Sequence, residues 1–366
     1  MRINGRKGWL VLAATIIMSL GLSSLVTAQA KAQLYIPVIS KGFQHQFWQA
    51  VKQGAEAAAK QYGVQITFEG PPTEADIQPQ VQMLVNAMAK SPSAICLAAL
   101  DTNSVMDQLN QAVQQNIPII GFDSGVQNAP DGAIYATAAT NSYNAAGVAA
   151  DEMYKVIKAK LQAATAAKPV TIVDFNQDAT SQSVTDRGKG FRDQMIKLIT
   201  TDLKRPASDI RVKGNAAYIG PDTPTSGKAI IIDVVVPPSP KDTDMTNAAQ
   251  AMLNRFKSDN IVGIFCSNEG ASRGILSATN DGSALPKQYP GLAVIGFDAG
   301  KAQKAAVKAK YFLGAITQDP VQIGFKAVEL AVFAIQGKPV QDIDTGAKFY
   351  NAANMDQAVF KPLLYD

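Results

Sequence analysis

Two aspartates, Asp123 and Asp298, occupy the same position in two similar segments of the chain. Residues 117–126 read Ile-Pro-Ile-Ile-Gly-Phe-Asp-Ser-Gly-Val, and residues 292–301 read Leu-Ala-Val-Ile-Gly-Phe-Asp-Ala-Gly-Lys. In each segment a short apolar run, typical of a buried parallel strand, ends at Gly-Phe-Asp. Each aspartate is therefore predicted at the carboxyl end of a strand, where open α/β sheets bind their ligands. For either aspartate alone, a cap of the following turn is the alternative role.

The distance between the two aspartates along the chain suggests two lobes. They are 298 − 123 = 175 residues apart, which is about the length of one α/β domain. Ionised carboxylates accept hydrogen bonds from hydroxyl groups. Two similar lobes, each with a carboxylate at its strand ends, predict a cleft that closes on a small polar molecule.

Strand-like and helix-like segments alternate along the chain. Leu34–Ile39 and Val64–Phe68 have the composition of strands, whereas Gln46–Tyr62 and Ile77–Lys90 carry apolar residues at helical spacing. The second half of the chain repeats this pattern. The alternation predicts βαβ units and hence an α/β fold with a parallel sheet in each half. Residues 210–236 interrupt the rhythm, and we expect a hairpin-like insertion there.

The first 30 residues have the pattern of a secretory signal peptide. A basic stretch at residues 1–7 precedes the apolar run Trp9–Val26, which ends at the small-residue site Ala28-Gln29-Ala30. An uncleaved membrane anchor is the alternative, since the run is close to the length that spans a bilayer. No cysteine lies near the site for lipid attachment. We therefore expect cleavage and a soluble periplasmic protein.

Charge and cysteine content exclude several classes of partner. The chain has 34 Lys and Arg against 30 Asp and Glu, and loss of Arg2, Arg6 and Lys7 would leave 31 − 30 = +1. A nearly neutral chain predicts neither nucleic acid nor an anionic membrane as partner. Cys96 and Cys266 lie in apolar runs of different halves and are predicted to be buried thiols. With one His in the chain, no metal-ligand spacing is present, and we expect no metal and no cofactor.

Six short motifs follow one another along the chain. They are Gln44-His45-Gln46-Phe47-Trp48, Gly-Phe-Asp-Ser-Gly, Asp186-Arg187-Gly188-Lys189-Gly190-Phe191, Asn268-Glu269, the second Gly-Phe-Asp, and Thr317-Gln318-Asp319-Pro320-Val321-Gln322-Ile323-Gly324. With these motifs in this order, the chain from about residue 33 onward resembles the type I periplasmic sugar-binding proteins of ABC importers, and the ribose-binding group in particular. The resemblance implies two Rossmann-like lobes, each a parallel sheet flanked by helices, which are joined by three crossover strands and close on one monosaccharide.

The resemblance also implies the domain bounds. The chain would pass between the lobes near Thr140, Gln318 and Thr345. Residues 33–139 and 319–344 would then form the N-terminal lobe, and residues 140–318 and 345–366 the C-terminal lobe, after a signal peptide at residues 1–30.

Eight residues are implied as ligand contacts. His45 stands where the family has an Asn, and an imidazole can also donate and accept hydrogen bonds. Trp48 is a better candidate than Phe47 for stacking on the sugar, because Phe47 also fits the buried stripe of its helix. Asp123 and Asp298 would accept bonds from sugar hydroxyls.

The other three implied contacts are Arg187, Asn268 and Gln318. Arg187 would donate to ring and hydroxyl oxygens, Asn268 would both donate and accept, and Gln318 would lie at a crossover. For His45 and Arg187 a purely structural role is the alternative. Trp48 is expected to face the cleft and not a lobe core, whereas a residue preceding a strand-end aspartate, such as Phe297, should point into the core.

The sequence departs from the ribose-binding pattern at two further places. Ser124 follows Asp123 where an Arg would be expected, and residues 237–244 contain no aromatic residue where the group supplies one. A different pentose or hexose is therefore at least as well supported as ribose.

Three classes of function compete as interpretations of this sequence. The first is a binding module that delivers a monosaccharide to a membrane permease, with a chemoreceptor as a further candidate partner. An enzyme is disfavoured because no nucleophile motif, Gly-x-Gly-x-x-Gly or Walker lysine occurs. A sugar-responsive repressor would need an N-terminal helix-turn-helix, where this chain has an export signal. We expect the binding module, with a furanosyl quorum signal as the alternative ligand.

Overall fold

A computed structural model describes residues 33–43 and 45–365. The predicted signal peptide at residues 1–30 lies outside the described residues, and residues 33–366 form one compact unit. None of the helices within the described ranges is both long and apolar enough to cross a membrane.

The described residues form thirteen strands and ten α-helices in alternation. The strands are β1 (Tyr35–Ile39), β2 (Gln65–Glu69), β3 (Ile95–Leu97), β4 (Ile119–Phe122), β5 (Ile134–Ala139), β6 (Val170–Phe175), β7 (Ile210–Gly214), β8 (Ile230–Val235), β9 (Ile261–Cys266), β10 (Ala293–Phe297), β11 (Gly314–Gln318), β12 (Ile343–Asp344) and β13 (Ala347–Tyr350). The helices are α1 (Gln46–Tyr62), α2 (Ile77–Ala89), α3 (Met106–Gln114), α4 (Ser142–Ala163), α5 (Gln182–Thr201), α6 (Asp242–Asn254), α7 (Glu269–Ala278), α8 (Leu285–Gln288), α9 (Lys301–Lys308) and α10 (Pro320–Ile335).

The strands form two sheets, one in each lobe. The first has the order β12-β5-β4-β3-β1-β2 and is parallel throughout. The second has the order β13-β11-β10-β9-β6-β8-β7 and is parallel except for β13, which pairs antiparallel with β11. The prediction of two parallel-sheet α/β lobes is confirmed.

The chain passes between the sheets three times. The first passage follows β5 of the first sheet and leads to α4, which packs on the second sheet. The second follows β11 of the second sheet and leads to α10, which packs on the first sheet. The third connects β12 of the first sheet to β13 of the second sheet. These passages lie near Thr140, Gln318 and Thr345, where the resemblance implies the crossovers. The assignment of the flanking stretches to separate domains stays a prediction.

The hairpin-like insertion expected at residues 210–236 is wrong. β7 and β8 pair parallel, with Ile210 opposite Ile230, and residues 215–229 return the chain to the starting edge. Both faces of β8 are buried, since Ile230, Ile231 and Ile232 are all inaccessible to solvent or nearly so. A continuous apolar run of this kind is typical of an inner parallel strand.

Both cysteines are buried free thiols, as predicted. Burial raises the pKa of Cys96 and of Cys266, so both stay protonated.

Helices α1 and α10 touch through a pair of glycines. A Cβ atom on Gly54 would overlap the backbone oxygen of Val321, and one on Gly324 would overlap the backbone oxygen of Val51. The two backbones are therefore in direct contact, and this contact sets the position of α1, which begins beside the site described below.

We expect Gly324→Ala to destabilise the protein, because the added methyl group must push the two helices apart. Overpacking of this kind lowers the free energy of unfolding by about 1–3 kcal/mol. The matched control is Gly147→Ala in α4, where the new Cβ would meet its nearest neighbour at 3.7 Å and alanine favours the helix. Urea unfolding of both variants tests this, and equal effects at the two positions would contradict the close contact.

Candidate ligand-binding site

The two strand-end aspartates adopt the same unusual backbone conformation. Asp123 follows β4 with φ of 55°, and Asp298 follows β10 with φ of 75°, a left-handed region that Asp tolerates better than most residues. The N–H of Asp123 donates to the oxygen of Ala138 at 3.0 Å, and that of Asp298 donates to the oxygen of Ile316 at 2.6 Å. Each lobe thus builds the same turn against its neighbouring strand and directs a carboxylate toward the other lobe.

A cavity lies between the lobes, and its accessible volume is about 20 Å³, the space of about one water molecule. All eight residues implied by the resemblance line it, together with three that sequence reasoning missed. The lining residues are Lys41, His45, Phe47, Trp48, Glu74, Asp123, Arg187, Asn268, Glu269, Asp298 and Gln318. Every one of them is buried, and only two are apolar, so the cavity suits a small ligand with several polar groups.

Arg187 of α5 lies between the two aspartates. Its guanidinium nitrogens are 3.9 Å from Oδ1 of Asp123 and 3.8 Å from Oδ2 of Asp298. It also donates to the backbone oxygen of Ser267 at 3.2 Å and lies 4.0 Å above the ring of Phe297. One cation therefore compensates two carboxylates that come from opposite lobes.

Asp298 is held by two further donors. Its Oδ1 accepts from Nε2 of Gln318 at 2.7 Å, and its Oδ2 accepts from the N–H of Glu269 at 3.2 Å. Burial raises the pKa of Asp298, although Arg187 and these hydrogen bonds oppose the shift. The Oε1 atom of Gln318 is buried and has no hydrogen-bond partner among the described residues, so it is an acceptor available to a ligand.

Asn268 is the N-cap of α7. Its Oδ1 accepts from the N–H of Ala271 at 2.9 Å, which satisfies one of the open amides at the start of the helix. The sequence predicts both a donor and an acceptor here. The structure uses the oxygen for the cap and leaves the amide nitrogen to face a ligand.

His45 precedes α1 and is almost completely buried. Burial lowers its pKa, although the nearby carboxylate of Glu74 opposes the shift, so the imidazole is neutral at pH 7. Its Nδ1 lies 3.4 Å from a guanidinium nitrogen of Arg273, which can only donate. This geometry assigns the proton to Nε2, which lies 3.8 Å from Oε1 of Glu74.

Trp48 lies both in the core of the first lobe and in the wall of the cavity. It is 1% exposed, and its ring packs edge-on against Phe47 and Phe122 at centroid distances of 5.0 and 6.2 Å. The expectation that Trp48 stays outside the lobe core is therefore wrong, because the indole is large enough to contact both the core and the cavity. Phe297 lies in the core as expected, but its ring also supports Arg187.

Lys41 was missed by the sequence analysis. It is 4% exposed, lies 3.3 Å from Oδ2 of Asp123 and donates to the hydroxyls of Ser181 and Ser183 in the other lobe, both at 3.2 Å. Burial alone would lower the pKa of Lys41, but neighbouring carboxylates, that of Asp123 first, outweigh it and raise the pKa. Lys41 stands just after β1, so the strand-end rule that found the aspartates would have found it too.

Glu74 and Glu269 were also missed as site residues. Glu74, in the loop after β2, accepts from Nε1 of Trp48 at 2.8 Å and from Nε2 of Gln177 at 2.7 Å. Burial opposes its ionisation, but the charge of Lys41 and the hydrogen bonds from Trp48 and Gln177 help to outweigh it and lower the pKa of Glu74. Glu269, the first residue of α7, has the opposite behaviour: burial, reinforced by the carboxylate of Asp298, raises its pKa to about 8.

We expect Glu269 to make the folded state less stable as the pH rises. Its pKa is above the ordinary value of 4.5, so the native state keeps a proton that the unfolded state loses. The contribution is fully present below about pH 4.5 and falls by up to about 1.4 kcal/mol per pH unit until about pH 8. Glu269→Gln should flatten this slope in urea unfolding from pH 5 to 8, whereas Glu56→Gln on the exposed face of α1 should leave it unchanged. Parallel slopes for wild type and Glu269→Gln would contradict the assignment.

No cluster of three or more His, Cys, Asp or Glu that could hold a metal ion occurs in the described part of the chain. The lining groups are hydrogen-bond donors and acceptors arranged around a closed space.

Two parallel-sheet lobes with a polar cavity between them define a type I periplasmic binding protein fold. Residues 36–339 match the periplasmic binding protein domain family. The chain therefore belongs to this family, which comprises binding proteins and not enzymes.

Three relatives illustrate the relationship. The ribose import binding protein of Salmonella typhimurium is 23% identical over 330 residues, which cover 90% of this chain and 94% of that protein. A solved structure from Brachyspira murdochii, described as an ABC transporter, LacI family transcriptional regulator, is 37% identical with a TM-score of 0.75 and covers 92% of this chain and 99% of its own. An Agrobacterium vitis ABC transporter solute-binding protein with bound D-fucose is 25% identical with a TM-score of 0.71, over 90% of this chain and all of its own. The protein is a solute-binding protein of the class that serves ABC sugar importers.

Proposed function

We propose that the protein binds one monosaccharide between its lobes and delivers it to the permease of an ABC importer. The observation that carries this proposal is the set of buried polar side chains that both lobes contribute to the cavity. With about 20 Å³ of accessible space, the cavity must widen by movement of the lobes to admit a sugar. Ligands that touch both lobes favour the closed state, because only there are all contacts made together.

The lining residues divide into acceptors and donors for sugar hydroxyls. Asp123, Asp298 and Gln318 supply acceptors. The donors are Arg187, the Nε2–H of His45 and the amide nitrogen of Asn268. Trp48, with Phe47 behind it, provides the apolar wall for the C–H face of the ring. Lys41 adds a cation beside Asp123.

The ligand that we propose is a neutral pentose or hexose, with sugars other than ribose at least as well supported as ribose. Relatives are named for ribose and are solved with D-fucose, so the class is shared while its members vary. Ser124, which replaces an expected Arg, makes lobe-to-lobe contacts: its Oγ accepts from the N–H of Ser183 at 3.2 Å and lies 3.3 Å from Oγ of Ser181. The Arg that the ribose-binding group would have at position 124 is thus replaced by a Ser whose hydroxyl contacts the other lobe.

A thermal-shift screen of residues 33–366 against pentoses, hexoses, polyols and the furanosyl quorum signal tests the ligand. A compound that binds only the folded state must raise the melting temperature by mass action. We expect one or a few neutral monosaccharides to do so, with calorimetry confirming one site per chain. A higher melting temperature with the furanosyl signal alone would identify that signal as the ligand instead. An unchanged melting temperature with every compound would contradict sugar binding.

Closure is tested by solution scattering. Addition of the sugar found in the screen should reduce the radius of gyration, because the hinge at the three crossovers closes the cleft. An unchanged profile at saturation would indicate a rigid site.

The export signal supports a periplasmic location, with a chemoreceptor as a second candidate partner of the closed form. We expect a mature protein that begins near Lys31 and is released by osmotic shock. Recovery in the membrane fraction with residues 1–30 intact would contradict this location.

A further inference from the structure

Glu74 is hydrogen-bonded to one residue of its own lobe and one of the other. Its Oε1 accepts from Nε1 of Trp48 at 2.8 Å, and its Oε2 accepts from Nε2 of Gln177 at 2.7 Å. Gln177 follows β6 in the second lobe, so the second bond exists only while the lobes are in contact. Glu74, Trp48 and Gln177 are all at least 96% buried.

The arrangement requires a carboxylate at position 74. The indole and the amide nitrogen are both donors, and only an ionised carboxylate offers two acceptor oxygens with no hydrogen of its own. Burial alone would raise the pKa of Glu74, but the positive charge of Lys41 and the two hydrogen bonds lower it. Hydrogen bonds to a charged group in a dry site are stronger than neutral ones.

The Gln177 side chain lies beside the start of α7, and its Oε1 has no hydrogen-bond partner among the described residues. Its Oε1 lies so close to the start of α7 that a Cβ on Gly270 would overlap it. With the oxygen turned toward Gly270, the amide nitrogen is directed at Glu74. The absence of a side chain at position 270 therefore contributes to the contact between the lobes.

We propose that Glu74 is a positioning residue that couples lobe closure to the Trp48 wall of the cavity. Glu74 orients the indole through one oxygen, and closure fixes Glu74 through the other, so the wall becomes rigid when the cleft closes. This inference rests on the proposed function, in which Trp48 contacts the ligand. It adds a contact between the lobes, the Glu74–Gln177 hydrogen bond, that does not involve the ligand.

Three variants separate the parts of this link. Glu74→Gln leaves one acceptor oxygen and turns an NH₂ group toward an N–H donor. Gln177→Leu removes the donor that the second lobe supplies. The double variant combines the two changes. Gln162→Leu, an exposed position of α4, is the matched control.

We expect each single variant to bind the sugar about tenfold more weakly and the double variant no more than about tenfold, because all lose the same contact. An about hundredfold, additive loss in the double variant, or wild-type affinity in either single one, would overturn the proposal.

A second measurement needs no sugar. Thr102 and Thr180, from opposite lobes, share a backbone hydrogen bond of 3.2 Å, so Thr102→Cys with Thr180→Cys is expected to lock the lobes together by a disulfide bond. Trp48 is the single tryptophan of residues 33–366 and gives one indole N–H signal by NMR. In the locked protein, Gln177→Leu should speed hydrogen exchange of that indole at least about tenfold, although Gln177 does not bond to it.

The two measurements distinguish the failure of this inference from that of sugar binding. If no sugar binds the wild type, the proposed function fails and the indole exchange still decides the role of Glu74. An exchange rate unchanged by Gln177→Leu in the locked protein, with its melting temperature retained, would overturn the coupling. The same result with Glu74→Gln would show that Trp48 is held by packing alone.

Discussion

Replacing Asp298 by alanine is expected to weaken sugar binding by at least about tenfold. A carboxylate in a closed, dry cavity accepts hydrogen bonds from sugar hydroxyls, and each bond to a charged group contributes about 1.5–3 kcal/mol. The substitution also leaves Nε2 of Gln318, which now bonds to Asp298 at 2.7 Å, without its acceptor. Both effects act in the same direction.

Calorimetric titration together with the melting temperature checks this result. Asp222→Ala, an exposed position of the same lobe, is the control and should bind as the wild type does. Phe297→Ala should both lower the melting temperature and weaken binding, because Phe297 lies in the core and its ring supports Arg187. If Asp298→Ala binds normally and stays stable, Asp298 is a structural cap and the assignment of the strand ends is wrong.

The substitution Arg187→Met should weaken binding by about 100-fold or more at pH 7. Removing one member of a buried, hydrogen-bonded charge pair costs about 2–5 kcal/mol, and Arg187 lies within 4 Å of two carboxylates. Because Asp123 and Asp298 come from opposite lobes, their repulsion would oppose closure directly.

The pH dependence of this variant gives a sharper test. Without the guanidinium, Asp298 meets the charge of Asp123 only on closure, so closing favours uptake of a proton by Asp298, whose pKa burial already raises. Affinity should therefore rise as the pH is lowered from 7 to 5, more steeply than in the wild type. Arg211→Met on the exposed side of β7 is the control. A loss of affinity that is constant with pH would show that the two carboxylates do not face each other in the closed state.

Much of the fold is encoded in local patterns of the sequence. Apolar strands separated by helices of regular spacing predict the α/β class, and helix Gln46–Tyr62 has the bounds that its stripe predicts. The helices α4 and α10 were not predicted. Alanine dominates the buried face of α4, at positions such as Ala145, Ala146 and Ala149, and so weakly apolar a face gives little periodic signal.

The strand-end rule located the centre of the site but not its surroundings. Asp123 and Asp298 could be found because their position after a buried strand is a local property. Lys41 follows a strand and is within reach of the same rule, but Glu74 lies in a loop and contacts Gln177, which is 103 residues away in the chain. No local pattern carries such contacts.

What the sequence by itself determined is the architecture and the chemistry at two strand ends, because periodicity and turn residues act over a few positions. Only the tertiary structure decided which atoms of each side chain are used. The oxygen of Asn268 caps a helix, His45 carries its proton on Nε2, and Trp48 lies in the core with its N–H on Glu74. A buried polar group must satisfy its hydrogen bonds with whatever the fold brings near, and that neighbourhood exists only once the two lobes have folded and met.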